Sequence, residues 1–242
     1  MTRVPPIRDR RPAPEDSPAD LYSAELATGR TRIDGLRVHH LDLSRRFLGV
    51  ADGALYEIDL VLIAAMARSY SLVDGFISAF DSWNPIVAAP LLRMQIDSLV
   101  RVAYMATAPA AETVARHIVG GGEFRTLRDA RGKKLTDFRL LEHAASTHPW
   151  IADVYEATSG WVHFSPAHVR AAVQVTVNEE QNIPGLGIFG AVPIRREEIP
   201  VTALQEVLAA MIKATSELFG YVEAWELRKG LPLGQTRAPG TT

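Results

Sequence analysis

The chain contains no cysteine among its 242 residues. That absence excludes disulfides, thiolate catalysis, cysteine zinc sites and cysteine-bound iron–sulfur clusters, and it fits a reducing compartment. Neither sign of charge is in excess. Lys and Arg number 26 against 28 Asp and Glu, a net charge of −2. No global attraction to nucleic acid or an anionic membrane follows from such a balance, so binding of that kind would need a local patch. Long hydrophobic runs are missing too. The longest, at 60–67, is soon broken by Arg68 and Asp74, well short of the ~20 residues of a membrane-spanning helix. Arg10-Arg11 is followed by no apolar segment, so no secretory signal is expected. The expectation is a cytoplasmic protein with no membrane partner. There is no alternation of strands and helices, which argues against a doubly wound α/β sheet, and no internal repeat.

What is present is helical patterning on a chain that is 47% hydrophobic, enough to bury a substantial core. Ile33, Leu36, His40, Leu43, Phe47 and Val50 recur in steps of three and four and share one helix face. A mostly apolar helix follows at about 55–80. Asn84-Pro85 reads as a turn and Pro90 as the first turn of the next helix, since proline suits that position. Pro109 can start another, ending at Gly120-Gly121-Gly122. Thr136 can cap a short helix through Ala145, and Pro149 opens one carrying Trp150 to about Phe164. The period then changes to two. Val173, Val175 and Val177 alternate with polar residues, and 188–194 can return as a second strand. Leu204, Leu208, Met211, Thr215, Leu218, Val222 and Trp225 mark a long final helix ended by Gly230. The fold class expected is mainly α: a multi-helix bundle with one small β-hairpin, at about 171–196, before a long C-terminal helix. Proline-rich residues 1–18 read as a disordered arm, 19–229 as one helical domain, and 230–242 as a disordered tail.

Three constellations could carry chemistry. Arg93, Asp97 and Arg101 stand at i, i+4 and i+8 on an otherwise apolar helix, so they form one row. A charged row on such a helix faces either a pocket or a partner, because unpaired buried charge is costly. Tyr155, Ser159 and His163 repeat the same spacing. Their side chains donate and accept hydrogen bonds, and histidine titrates near neutral pH. His163, Arg93 and Asp97 are therefore the candidate catalytic residues, with Arg101, Tyr155 and Ser159 as candidate binding residues. Lys133 and Lys134 join them, from a stretch at 116–139 holding seven basic residues against Glu123, Asp129 and Asp137. The ordinary alternatives are a structural ion pair, a hydrogen-bonded core histidine and a solvated loop. Gly120-Gly121-Gly122-Glu123 and Gly132-Lys133-Lys134 match no phosphate-binding fingerprint. Neither histidine pair, His143 with His148 nor His163 with His168, has a helical metal-ligand spacing. No metal or cofactor is expected.

Leu91-Leu92-Arg93-x-x-x-Asp97, the run Arg131 to Asp137, and Tyr155-x-x-x-Ser159-x-x-Val162-His163-Phe164-Ser165, closed by Trp225, stand in an order that resembles a widespread, uncharacterised family of bacterial helical proteins. The likeness spans about 91–229, with Asp97 where that family's pattern has glutamate. The chain also distantly resembles the HEPN helical proteins, many of them metal-independent ribonucleases of toxin and phage-defence systems. Those carry Arg, four to six residues, then His. Arg139 and His143 are separated by only three, and Arg32 and His39, which fit the count, lie early and lack the usual polar residue after the arginine. The ribonuclease residues are therefore not carried over, and the resemblance implies a helical fold. Two readings follow. The favoured one is a non-catalytic helical interaction module, a homo-oligomer. The other is an RNA- or nucleotide-directed protein with His163 as acid or base and Arg93 or Arg101 on phosphate.

Overall fold

A computed structural model of the chain describes residues 24–162, 173–178, 183–188 and 201–230. The described residues are mainly helical, with seven α-helices among them: α1 Ala24–Gly49, α2 Glu57–Asp81, α3 Pro85–Thr107, α4 Ala111–Val119, α5 Asp137–Ala145, α6 Trp150–Val162 and α7 Val201–Lys229. The expected arm at 1–18, His163, the continuation of α6 to Phe164, residues 189–194 of the expected return strand and residues 231–242 of the tail lie outside the described residues.

Two helix starts differ from the sequence expectation, each for a local reason. Helix α1 begins nine residues before Ile33 because Leu26 and Arg30 extend its buried face. Arg30 breaks the apolar pattern yet is buried, its guanidinium donating from Nε and Nη2 to the two oxygens of Asp81 at 2.8 and 2.9 Å. Helix α3 starts at Pro85 and takes Pro90 inside it. Asn84 caps that start, accepting from the Val87 amide at 3.2 Å. Pro90 lacks the N–H that would reach the Ile86 carbonyl, and Ile86 is exposed, where solvent can satisfy the freed oxygen. Elsewhere the boundary signals match. Thr136 accepts from the Arg139 amide at the start of α5, and α4 stops at Gly120, with Gly121 in the left-handed region.

The chain divides by contacts into two compact units, residues 1–35, 71–94 and 153–212, and residues 36–70, 95–152 and 213–242. In the first, Ile33, Val73, Phe76, Leu92 and Met211 are buried, and Phe76 stacks on Phe80 at 5.8 Å. Gly29 allows a close approach: a Cβ there would stand 2.7 Å from Leu208 Cδ2.

The second unit buries Leu43, Phe47, Met66, Leu99, Leu218 and Val222 together with two polar groupings. In one, His40 Nδ1 donates to the Leu36 carbonyl at 2.8 Å and Nε2 accepts from Ser69 Oγ at 2.8 Å. Gln95 Nε2 in turn donates to Ser69 at 2.7 Å and Thr215 at 3.2 Å. The Gln95 carbonyl oxygen is buried without a hydrogen-bond partner among the described residues. In the other, Asp59 pairs with Lys229 at 3.0 Å, both side chains wholly buried. Helix α2, which supplies Asp59 and Ser69, is long and apolar enough by length and composition to cross a bilayer. Arg68 interrupts its apolar run without lowering the mean hydropathy of the helix much.

Candidate functional site

Helix α3 carries the charged row, and its three members have different surroundings. Arg93, in the first unit, lies over the ring of Tyr155 at 3.2 Å from the centroid, a cation–π contact. Helical spacing on α6 sets Ser159 one turn beyond Tyr155, but its hydroxyl donates to the Tyr155 carbonyl at 2.5 Å. That bond commits the hydroxyl proton to its own helix.

Asp97 and Arg101 belong to the second unit and bond to each other. Asp97 also faces Arg68 at 3.7 Å. Arg101 reaches Asp137, at the start of α5, at 2.7 Å, and its guanidinium stands 5.7 Å from the Phe124 ring. Arg68 donates to Ser98 at 3.0 Å. Two arginines and two aspartates thus close on one another, and their charges cancel. These side chains are partly open to solvent, Asp97 24% and Arg101 29% exposed.

Lys133 and Lys134 sit on an exposed turn built around Asp129. The Asp129 carboxylate accepts from the amides of Arg131 and Lys133, both at 2.9 Å, and Arg128 donates to the Gly132 carbonyl at 2.6 Å. The Lys133 and Arg131 amide bonds hold the Asp129 carboxyl below its ordinary pKa, opposed by partial desolvation. A permanent anion at the centre of the turn subtracts from what its lysines offer a phosphate.

The constellation that sequence reasoning missed lies between the start of α6 and α7, within the second unit. His148 Nδ1 pairs with Glu217 at 2.7 Å, and its Nε2 meets the Tyr221 hydroxyl at 2.8 Å. Trp150 Nε1 donates to both Glu217 oxygens at 3.1 and 3.2 Å. A carboxylate, an imidazole and a phenol in series have the form of a proton relay. Here burial, and then the Glu217 charge, raise the Tyr221 pKa, so the phenol is held protonated and is not an activated nucleophile. The sequence signal was the spacing of four between Glu217 and Tyr221, but nothing local points from them to His148, some seventy residues earlier. Among the described residues no group of three or more His, Cys, Asp or Glu could hold a metal ion.

No family model, no curated protein and no solved structure matches the chain.

Proposed function

We propose that the chain is a non-catalytic helical interaction module that associates with copies of itself in the cytoplasm of a bacterium. The observation that carries this reading is the mutual neutralisation of Arg68, Asp97, Arg101 and Asp137. Catalysis on a phosphate would need cationic charge left over for the developing oxyanion, and these two arginines are already matched by two carboxylates. The protonated Tyr221 and the committed Ser159 hydroxyl support the same conclusion.

The small antiparallel hairpin belongs to this reading. Its support is the alternation of valines and a backbone register setting Val173 opposite Ile188 and Asn178 opposite Ile183, which puts the return strand at 183–188 and not at the expected 188–194. Self-association is supported by Val38 and Leu41, three apart on α1 and 58% and 48% exposed. Apolar side chains left open side by side are ordinary features of an interface. A place in solution, with no membrane partner, is supported by the burial of Leu62, Met66, Val73 and Phe76 of α2.

Light scattering on a sizing column tests the reading. The expected result is a mass of at least two chains that falls to one chain in Val38→Asp. In parallel, a mixed RNA pool with EDTA present is expected to stay intact. Metal-independent cleavage that disappears in His163→Ala at unchanged stability would overturn the reading in favour of an RNA-directed, HEPN-like protein.

A further inference from the structure

Helix α2 ends in a way that its sequence does not favour. The amide of Asn84 donates to the Ala79 carbonyl at 2.9 Å and that of Trp83 to Phe80 at 3.0 Å. Paired bonds of this kind are the Schellman helix ending, whose left-handed position is usually glycine. Trp83 occupies that position, with φ +55°. A bulky side chain there costs backbone energy that glycine would not, and strain of this sort is a pointer to function.

The indole of Trp83 lines a pocket of about 200 Å³ in the first unit. Phe80 and Trp161 supply two more aromatic walls, Ala88 and Ala89 leave the space open, and Glu206 is the one charged residue among the described residues lining it. The volume exceeds the ~150 Å³ apolar cavity that accepts benzene and falls below the ~300–1,000 Å³ of a drug-sized site. It suits one ring and a short substituent. Three aromatic side chains line it, and the face of an aromatic ring attracts a cation that is also apolar. The carboxylate at the wall has the same preference.

We propose that this pocket is a binding site for a small organic cation, an aromatic or alicyclic amine of roughly eight heavy atoms. The cationic nitrogen lies toward Glu206 and the ring between Trp83 and Trp161. The strained tryptophan is kept because it forms a wall that glycine could not. This site is separate from self-association and stands or falls without it.

The test uses the full chain, labelled with ¹⁵N, titrated with benzylamine and with its neutral counterpart benzyl alcohol at neutral pH. The four tryptophans give four indole N–H signals. The expected result is that benzylamine moves those of Trp83 and Trp161 and leaves those of Trp150 and Trp225 in place. Benzylamine is expected to bind roughly tenfold tighter than benzyl alcohol, the order of a partly desolvated cation–π contact. Glu206→Gln, at an exposed position, should remove most of that preference. Trp83→Gly should lose binding while the melting temperature holds or rises, a combination that a purely structural tryptophan would not give. Equal affinity for the two ligands overturns the proposal. So does the absence of shifts at Trp83 and Trp161 up to about 10 mM, the weak end for a ligand of this size.

Discussion

The second unit holds two clusters of charge built from similar residues under opposite conditions. Asp59 and Lys229 have no exposed side-chain surface. The Asp59 carboxylate also accepts from the Trp225 indole and the Tyr56 amide, each at 2.7 Å, and Lys229 donates onward to the Phe47 carbonyl at 3.2 Å. In the other cluster, Arg68, Asp97, Arg101 and Asp137 keep part of their surface in solvent, Asp137 as much as 60%. Burying a carboxylate is tolerable only when donors replace its water. Asp59 has three donors; each aspartate of the open row needs fewer, because solvent supplies the rest. The difference teaches that a row of charges seen in sequence marks a surface, whereas the pair that matters to folding is one whose members stand 170 residues apart.

The largest expected effect is on the closed cluster. Lys229→Met leaves Asp59 buried without its cation and should cost about 3–5 kcal/mol in denaturant unfolding, the usual cost of breaking a buried pair. Adding Asp59→Asn should recover part of the loss, since asparagine carries no charge and still accepts from Trp225. A loss below about 1 kcal/mol in the single variant would place the pair with exposed ion pairs and end the contrast.

How much of this was legible depends on distance along the chain. The helices were readable because their signals are local: apolar steps of three and four on α1, Thr136 at the start of α5, three glycines after α4. The row Arg93, Asp97, Arg101 was readable for the same reason. Its function was not, because Arg68 and Asp137 come from other helices. Asp59 and Lys229 had no local signature. Asp59 reads as an ordinary acidic residue in a first helical turn and Lys229 as a basic residue in a last one, both favoured by the helix dipole whatever they touch. Trp83 had no signature at all, since a tryptophan carries no hint of a left-handed backbone.

His40 sharpens the comparison from the uncharged side. It is 1% exposed, on the apolar face read from α1, and burial pushes its pKa down to about 4 from 6.5, helped by the nearby His39 and opposed by the Leu36 carbonyl. The folded protein therefore resists protonation that the unfolded chain accepts. The stability involved is fully present above the unfolded value and is lost as pH falls from about 6.5 to about 4, roughly 3 kcal/mol in all. Urea unfolding of the protein and His40→Gln across that window measures it. The variant should show a shallower slope by that amount. Parallel slopes would mean that the imidazole accepts a proton in the fold, and that this region is as open as the charged row.

The smallest effect is expected at the row itself. Arg101→Ala removes the bonds to Asp97 and Asp137 and the contact with Phe124. Yet Asp97 keeps Arg68 at 3.7 Å, and Asp137, in the first turn of α5, keeps the favourable end of that helix's dipole. Both carboxylates can also turn to solvent, so neither is stranded as Asp59 would be. The cost should be about 0.5–1 kcal/mol. It should shrink further in high salt, because exposed charges are screened over roughly 3 Å at 1 M ionic strength. Unfolding at low and high salt decides it. A loss above about 2 kcal/mol that salt does not reduce would show the row to be enclosed like the Asp59–Lys229 pair, and its arginines to be structural ties rather than a solvated surface.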